Sequence, residues 1–357
     1  MIDIYPVSNI PRVSIGLPVY NGEEFLEESV GSLLTQSYTD FELIISDNGS
    51  TDRTESICRA LARNDSRIRY LREDENRGAC WNHKRVIELA RGEHFKFAAH
   101  DDRLAPTFLE QCVAVLDAEP DVVWCHSIST HIDHFGRRVE GADAGDVGFA
   151  AATVHPSWTL PTRESSRAHH RFRAVILGPR GNMDVFGLIR GWAIRRTATM
   201  IPHYGMDKVL VAELSLMGRY HEVPELLFFG RIHPKSSGAI ASSSEQQRFI
   251  DPSGVKRFAF TRLHLLRGHL RSVRHADLPS GERLRCYGVL MHYLLQSRKW
   301  RSVFMKTFTG AGTGGAYVEP LRRIGQRDDA HSPGGDGAKP KTLPADGKVS
   351  APASRAR

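Results

Sequence analysis

Over its first 125 or so residues the chain alternates short, continuous apolar runs with longer stretches in which apolar residues recur every three or four positions. A continuous apolar run suits a strand covered on both faces, and the three-to-four spacing suits a helix that buries one stripe. Residues Arg12 to Pro18 predict a first strand closed by proline. Asn21 can cap the helix that follows, with Glu24 three positions on in capping-box spacing, and Leu26, Val30, Leu33 and Leu34 give it an inner stripe. Residues 41–46 predict a second strand, a second helix starts near Asp52 with Ile57 and Leu61 on one face, and residues 68–71 predict a third strand. A helix over 78–90 and a strand over 94–99 come next. Pro106 then lies near the first turn of another helix, where its missing N–H costs little, with Leu109, Cys112, Val113 and Leu116 inward. Residues 121–125 close the series as a strand. Strands separated by helices of this length require crossover connections and therefore predict an α/β architecture with a mostly parallel central sheet.

Beyond about residue 130 the pattern loosens. Residues 136–170 are rich in Gly, Ala, Ser and Thr and read as a loop or lid. Helical spacing returns over Asp207–Gly218 and again from Val255 to about Phe308. From about Gly325 large apolar groups are few, and a disordered tail is expected. The expected divisions are residues 1–130, residues 131–240, a basic helical extension over 241–324, and the tail 325–357.

At 357 residues the chain is long enough for two domains or one elaborated one. No apolar run reaches the roughly 20 residues needed to cross a bilayer. The start, Met1-Ile2-Asp3-Ile4-Tyr5-Pro6, lacks the basic and apolar regions of a secretory signal. Five cysteines (Cys58, Cys80, Cys112, Cys125 and Cys286) are scattered without C-x-x-C spacing. They read as reduced thiols of a cytoplasmic protein and suggest no zinc site. The net charge of +7 is unevenly spread: Lys256 to Lys306 holds twelve Lys/Arg against Asp277 and Glu282. The basic character thus belongs to one segment, which argues against a nucleic-acid-binding core. Neither a G-x-G-x-x-G after the first strand nor a G-x-x-x-x-G-K-[ST] is present, which disfavours a nicotinamide dehydrogenase and a P-loop kinase.

Candidate chemistry sits at two predicted strand ends, at Asp47-Asn48 and at His100-Asp101-Asp102. Ligands of open α/β sheets collect at the carboxyl ends of parallel strands. Adjacent carboxylates repel, and a bound cation relieves that repulsion. Mn²⁺ or Mg²⁺ is usually held by one or two carboxylates together with phosphate oxygens. The pattern therefore points to a nucleotide diphosphate ligand.

An ordered set of motifs resembles family 2 glycosyltransferases, the inverting nucleotide-sugar enzymes with the Rossmann-like A-type fold. The set comprises Val13-Ser14-Ile15-Gly16-Leu17-Pro18-Val19-Tyr20-Asn21, Leu34-Thr35-Gln36-Ser37-Tyr38, Ile44-Ile45-Ser46-Asp47-Asn48-Gly49-Ser50-Thr51-Asp52, Asn76-Arg77-Gly78 and His100-Asp101-Asp102. It spans about residues 12–125; later the likeness rests on Met206-Asp207, Leu210 and Glu213-Leu214-Ser215-Leu216-Met217-Gly218. The resemblance makes residues 1–130 the nucleotide-sugar half and 131–240 the acceptor half of a catalytic domain. It implies that the turn Pro18, Tyr20 and Asn21 packs against the base, with Asp47 accepting its ring N–H. Half-buried loop aromatic and turn cap are the plain readings of Tyr20 and Asp47. Asn76 and Gly78 would meet an anionic or hydroxyl group, or simply form a tight loop, and Arg77 would help neutralise phosphate or lie solvated.

The resemblance also implies that Asp102 holds the metal and Asp101 contacts the ribose or sugar. His100 stands at the first position of that motif, as a third ligand or a structural histidine. The base that activates the acceptor is expected at Asp207, although Met206 stands where a Glu is usual. An N-cap role is its rival, and Asp184 and Glu213 are the alternative bases. His233, in Arg231-Ile232-His233, has the setting of a metal or phosphate contact, or of an ordinary loop histidine. Gly187-Leu188-Ile189-Arg190 with Trp192 either line the acceptor side or join the core.

The expected activity is metal-dependent transfer of a sugar to a glycan or lipid-linked glycan hydroxyl, in bacterial polysaccharide or glycolipid synthesis. A catalytically inactive nucleotide-sugar-binding protein and a membrane-surface scaffold are the rivals. Residues 256–306 fit either peripheral contact with the inner face of the membrane or a solvated basic face packed on the catalytic domain.

Overall fold

The computed structural model describes residues 10–139, 163–178, 183–197, 202–203, 205–240, 243–254 and 261–296. The expected tail and most of the 136–170 segment lie outside the described residues. Strand β1 (Val13–Val19) is followed by α1 (Leu26–Leu34), β2 (Phe41–Asp47), α2 (Thr54–Asn64), β3 (Ile68–Arg72), α3 (Ala79–Leu89) and β4 (His94–Phe97). Then come β5 (Arg103–Leu104), α4 (Phe108–Ala118), β6 (Val122–Ile132) and α5 (Ala168–Leu177). A short 3₁₀ turn (Met183–Phe186) leads into β7 (Leu188–Arg190), α6 (Gly191–Arg196), α7 (Met206–Met217) and β8 (Arg219–Arg231). The chain continues through α8 (Ser243–Ile250), α9 (Thr261–His275) and α10 (Ser280–Leu295).

Eight strands form one sheet in the order β3-β2-β1-β4-β7-β6-β8-β5. β1, β2, β3 and β4 run parallel, as do β6 and β8, while β7 and β5 run antiparallel to their neighbours. Two apolar layers cover the sheet. One packs Leu26, Val30, Leu33, Phe108, Leu109 and Cys112 from α1 and α4 against Val13, Ile15, Leu17, Leu43 and Ile45. The other packs Val86, Ile194, Leu210 and Leu214 from α3, α6 and α7 against Ile44, Phe95, Phe97 and Trp124. β2 is buried along its whole length; Phe41, Leu43, Ile44 and Ile45 supply its apolar contacts, and its buried Glu42 is paired with Ser14, Arg69 and Arg91.

Several sequence expectations shift. Asn21 does not cap α1, whose N-cap is Phe25. The helical signal expected from Val255 to about Phe308 corresponds, within the described residues, to the pair α9 and α10, joined through Leu278 and Pro279. Strand β8 lay unseen because Pro224 and Glu225 interrupt it. The ladder to β6 steps from Val223 straight to Leu226, leaving those two residues outside the pairing as a bulge that tolerates proline. All five cysteines are free and buried.

Candidate active site

The parallel register places the ends of β1, β2, β3 and β4 along one edge: Val19 pairs with Asp47, Asp47 with Arg72, and Gly16 with Phe97. The loops that follow meet there. Asn21 adopts a positive φ of 53°, open to asparagine because its short side chain bonds locally. Its Oδ1 accepts the Thr51 N–H at 2.8 Å, its own N–H reaches Ser50 Oγ at 2.9 Å, and the Gly22 N–H reaches Thr54 Oγ1 at 2.8 Å. The turn of Pro18, Tyr20 and Asn21 is thereby tied to the loop after β2, and Tyr20 is left exposed.

Asp47 is 0 % exposed. Its Oδ1 accepts the Ser50 N–H at 2.9 Å and its Oδ2 the Tyr70 hydroxyl at 2.8 Å, with Arg72 Nε at 3.6 Å. Burial and the Asp47 bond push the Tyr70 hydroxyl well above its ordinary pKa. In this structure both Asp47 carboxylate oxygens are engaged within the protein. The carboxylate braces the loop after β2 through the Ser50 N–H.

Asn48, given no separate role from sequence, organises the next loop. Its Nδ2 donates to Asn76 Oδ1 at 2.9 Å and to the Gly78 carbonyl at 3.2 Å, and its Oδ1 accepts the Arg77 N–H at 3.0 Å. Asn76 Oδ1 also takes the Gly78 N–H at 2.8 Å. Gly78 has φ +89°, and a Cβ there would lie 2.5 Å from the Ile250 carbonyl oxygen at the end of α8. Glycine is required both by the dihedral and by that contact. The Arg77 guanidinium lies over Trp81 at 4.2 Å and 3.4 Å from Glu73, so its charge is engaged within the protein.

At the end of β4 the two aspartates diverge. Asp102 is buried, and its Oδ1 accepts the Arg231 N–H at 2.9 Å. Burial and the charge of Asp101 push its pKa well up, while the Arg231 N–H and Lys96 act the other way. Asp101 instead meets His233, with Oδ2 and Nε2 2.9 Å apart. Burial pushes the Asp101 carboxyl up, but the His233 bond, helped by the charges of His100 and His233, outweighs it and holds the pKa down. Asp101 is thus the more accessible of the two, its side chain 14 % exposed against 8 % for the whole of Asp102, whose Oδ1 is turned to the Arg231 N–H. Arg231 was quoted in a motif but given no role; it holds this corner together. Its Nε donates to the Asp101 carbonyl at 2.8 Å and its Nη1 to the carbonyls of Asp133 and His134, and its plane lies 4.6 Å over the Phe25 ring. Phe25 also packs against the His233 ring at 4.9 Å.

Asp207 occupies the first turn of α7 and is half-buried; Gly205, not Asp207, is the N-cap, with φ +89°. The Asp207 charge acts on His83 of α3. His83 Nδ1 lies 2.8 Å from the Ala79 carbonyl, and its ring packs 5.5 Å from Phe97. Met206 points into the apolar layer with Leu210 and Ile250. The alternative bases are placed otherwise: Asp184 pairs with Arg163 and takes the Tyr220 hydroxyl at 3.3 Å, and Glu213 is buried. Leu188 and Ile189 lie inside the sheet, while Trp192 is exposed beneath Arg196.

A divalent cation fits the Asp101–His233 pair in kind, since one carboxylate and one imidazole leave the remaining ligands to phosphate oxygens. Among the described residues no group of three His, Cys, Asp or Glu side chains is placed to hold a metal ion.

Residues 14–164 match the model of the family described as glycosyl transferase family 2. An uncharacterized glycosyltransferase of Rickettsia typhi is 35% identical over 118 residues, 32% of this chain and 36% of that protein. Glycosyltransferase GlyG of Streptococcus pneumoniae is 33% identical over 112 residues, 31% of this chain and 37% of GlyG. The chain therefore spans little more than a third of the length of these relatives. Among solved structures, S. aureus TarS 1-349 superposes with a TM-score of 0.57 at 15% identity, covering 89% of this chain and 82% of TarS 1-349. The same S. aureus protein in complex with UDP-GlcNAc gives 0.55 at 15% identity, covering 89% and 92%. The shared fold is the A-type α/β architecture, with a mostly parallel sheet between helices. On its ordered motifs and these matches, residues 14–164 of the chain form a glycosyl transferase family 2 domain.

Proposed function

We propose that this protein transfers one sugar, with inversion, from a nucleotide diphosphate sugar to a hydroxyl of a glycan or lipid-linked glycan, in polysaccharide or glycolipid synthesis. The observation that carries the reading is the Asp101–His233 pair at the carboxyl edge of the parallel strands, beside the Asn48–Asn76–Gly78 loop. In this proposal Asp101 and His233 hold a divalent cation, Mn²⁺ or Mg²⁺, and Asp102 supports them from the interior. When bound, that ion supplies positive charge to the departing diphosphate. Tyr20 offers an exposed aromatic face to a base. The S. aureus TarS 1-349 structures in complex with UDP and with UDP-GlcNAc support a nucleoside diphosphate donor.

Asp207 is the proposed general base. Its carboxylate takes the proton of the acceptor hydroxyl as that oxygen bonds to the anomeric carbon and the bond to the diphosphate oxygen breaks. Attack from the face opposite the diphosphate inverts the configuration. Met206 does not count against activity, because position 206 faces the apolar layer and offers no place for a site carboxylate.

Asp207→Asn should lower kcat by roughly 10²–10⁴-fold while leaving donor affinity unchanged. Sugar-nucleotide turnover and donor thermal shift, measured across UDP-, GDP- and dTDP-sugars, read the two separately. Full turnover in that variant would remove Asp207 from the mechanism.

A further inference from the structure

We infer that the α9/α10 hairpin is a docking surface for an anionic lipid bilayer, and that it brings the acceptor side of the site to a lipid-carried hydroxyl. The second clause rests on the activity proposed above; the first does not.

The hairpin has an inner and an outer side. Leu266 and Val273 of α9 and Cys286, Val289, Leu290 and Tyr293 of α10 pack into one cluster with Phe172 of α5 and Ala212 and Leu216 of α7. On α10 the opposite face carries Leu284, Met291 and Leu295, which follow at intervals of seven and four and so form one stripe. They are 72%, 56% and 76% exposed. A helix that is apolar on both sides is normally covered on both sides, and the described residues leave this side of α10 open. The outer ridge of α9 holds Arg267, Leu270, Arg271 and Arg274, all exposed. Both helices bury their other side in the same cluster, so the apolar stripe and the arginine ridge each lie on the outside of it.

Charge chooses the occupant. Asp277 is the exposed acid of this hairpin, and Glu282 is held by His169 at 2.8 Å and Arg285 at 2.9 Å. A second copy seated on this surface would set arginine ridge against arginine ridge, and like charges across an interface are unfavourable. Residues 297–318, which follow directly, carry Arg298, Lys299, Arg301 and Lys306 without an acid, so that stretch would bring further positive charge against the arginine ridge. An anionic headgroup layer over an acyl interior meets both the arginines and the leucines.

The position links docking to the site. Leu265 of α9 packs on Gly205, the N-cap before Asp207, where a Cβ would lie 3.3 Å from its Cδ2. His264 stacks on His203 with ring centroids 3.6 Å apart. The docking hairpin thus lies directly against the turn that presents Asp207.

The full chain is mixed with vesicles of phosphatidylcholine containing about a third phosphatidylglycerol, and with phosphatidylcholine alone, and sedimented. Binding is expected to the anionic vesicles only. Changing Arg267, Arg271 and Arg274 to Gln should weaken partitioning by about a hundredfold, at roughly fivefold per arginine. The pair Leu284→Glu and Leu295→Glu should abolish it with the melting temperature unchanged. Equal binding to neutral vesicles, no binding, or unaltered binding by the variants would overturn the proposal. So would a solution dimer dispersed by the glutamates, which identifies a second copy, or a lowered melting temperature, which identifies a covering segment of this chain. Thermal shift with the sugar-nucleotide panel is independent of the vesicle arm. Donor binding without vesicle binding removes the docking surface alone, and vesicle binding without any donor removes the transferase reading alone.

Discussion

Removing the Asp47 carboxylate separates a structural role from a ligand contact. In the folded protein it accepts two buried hydrogen bonds, from the Ser50 N–H at 2.9 Å and the Tyr70 hydroxyl at 2.8 Å. Asp47→Ala leaves both donors without an acceptor, and each unsatisfied buried group costs about 1–3 kcal/mol. Arg72 loses little, since Glu55 lies nearer to its Nε, at 3.1 Å. Water entering the vacated space offsets part of the loss, so a net destabilisation of about 3 kcal/mol is expected. For a chain of this size about 2–4 °C of Tm accompanies each kcal/mol, which gives a fall of about 6–12 °C. Tyr70→Phe removes one donor without stranding another and should cost about 1 kcal/mol. The two changes together should cost less than their sum, because both break the same bond. Thermal unfolding of the four proteins, followed by donor titration of the folded fraction, decides the matter. An unchanged Tm in Asp47→Ala with donor binding abolished would show that the carboxylate touches the base and that its burial has been misread.

Two further outcomes follow from local geometry. Gly78→Ala combines a positive φ with a methyl 2.5 Å from the Ile250 carbonyl; it should lower stability by about 2–3 kcal/mol, and loosening of α8 should appear as faster amide exchange there. Glu282 is pushed up by burial, but its bonds to His169 and Arg285 prevail and bring its pKa from 4.5 to about 2. A depressed carboxylate stabilises the fold above its unfolded pKa, and that contribution fades as pH falls from about 4.5 through about 2. Glu282→Gln should therefore flatten the acid limb of the Tm-versus-pH curve in that window while changing its alkaline side little.

The sequence-to-structure relation differs along the chain for physical reasons. β1, β2 and β4 were legible because large apolar and β-branched residues dominate β1 and β2 and alternate through β4, each ahead of a polar loop. Which of Asp101 and Asp102 is the more accessible was not legible, since the two lie at a bend between β4 and β5, where no strand or helix period sets the direction of a side chain. The deciding partner, the Arg231 N–H, comes from β8, 129 residues away. The burial of Asp47 depends likewise on Tyr70 arriving from β3. β7 is short, and β8 contains Pro224; both borrow their strand character from pairing rather than from pattern. The stripe on α10 was hidden because an apolar residue in sequence looks the same whether its helix face is covered or open.

The central claim is that Asp101, with His233, takes the cation, and that Asp102 does not. Calorimetric titration of Mn²⁺ with a bound sugar nucleotide into Asp101→Asn and Asp102→Asn tests it most directly. Asparagine at 102 keeps an oxygen for the Arg231 N–H, so that variant should bind the ion within about threefold of the unaltered protein. Asp101→Asn should show no cation-dependent binding. Retained binding in Asp101→Asn together with its loss in Asp102→Asn would contradict the account and return the metal to the buried aspartate.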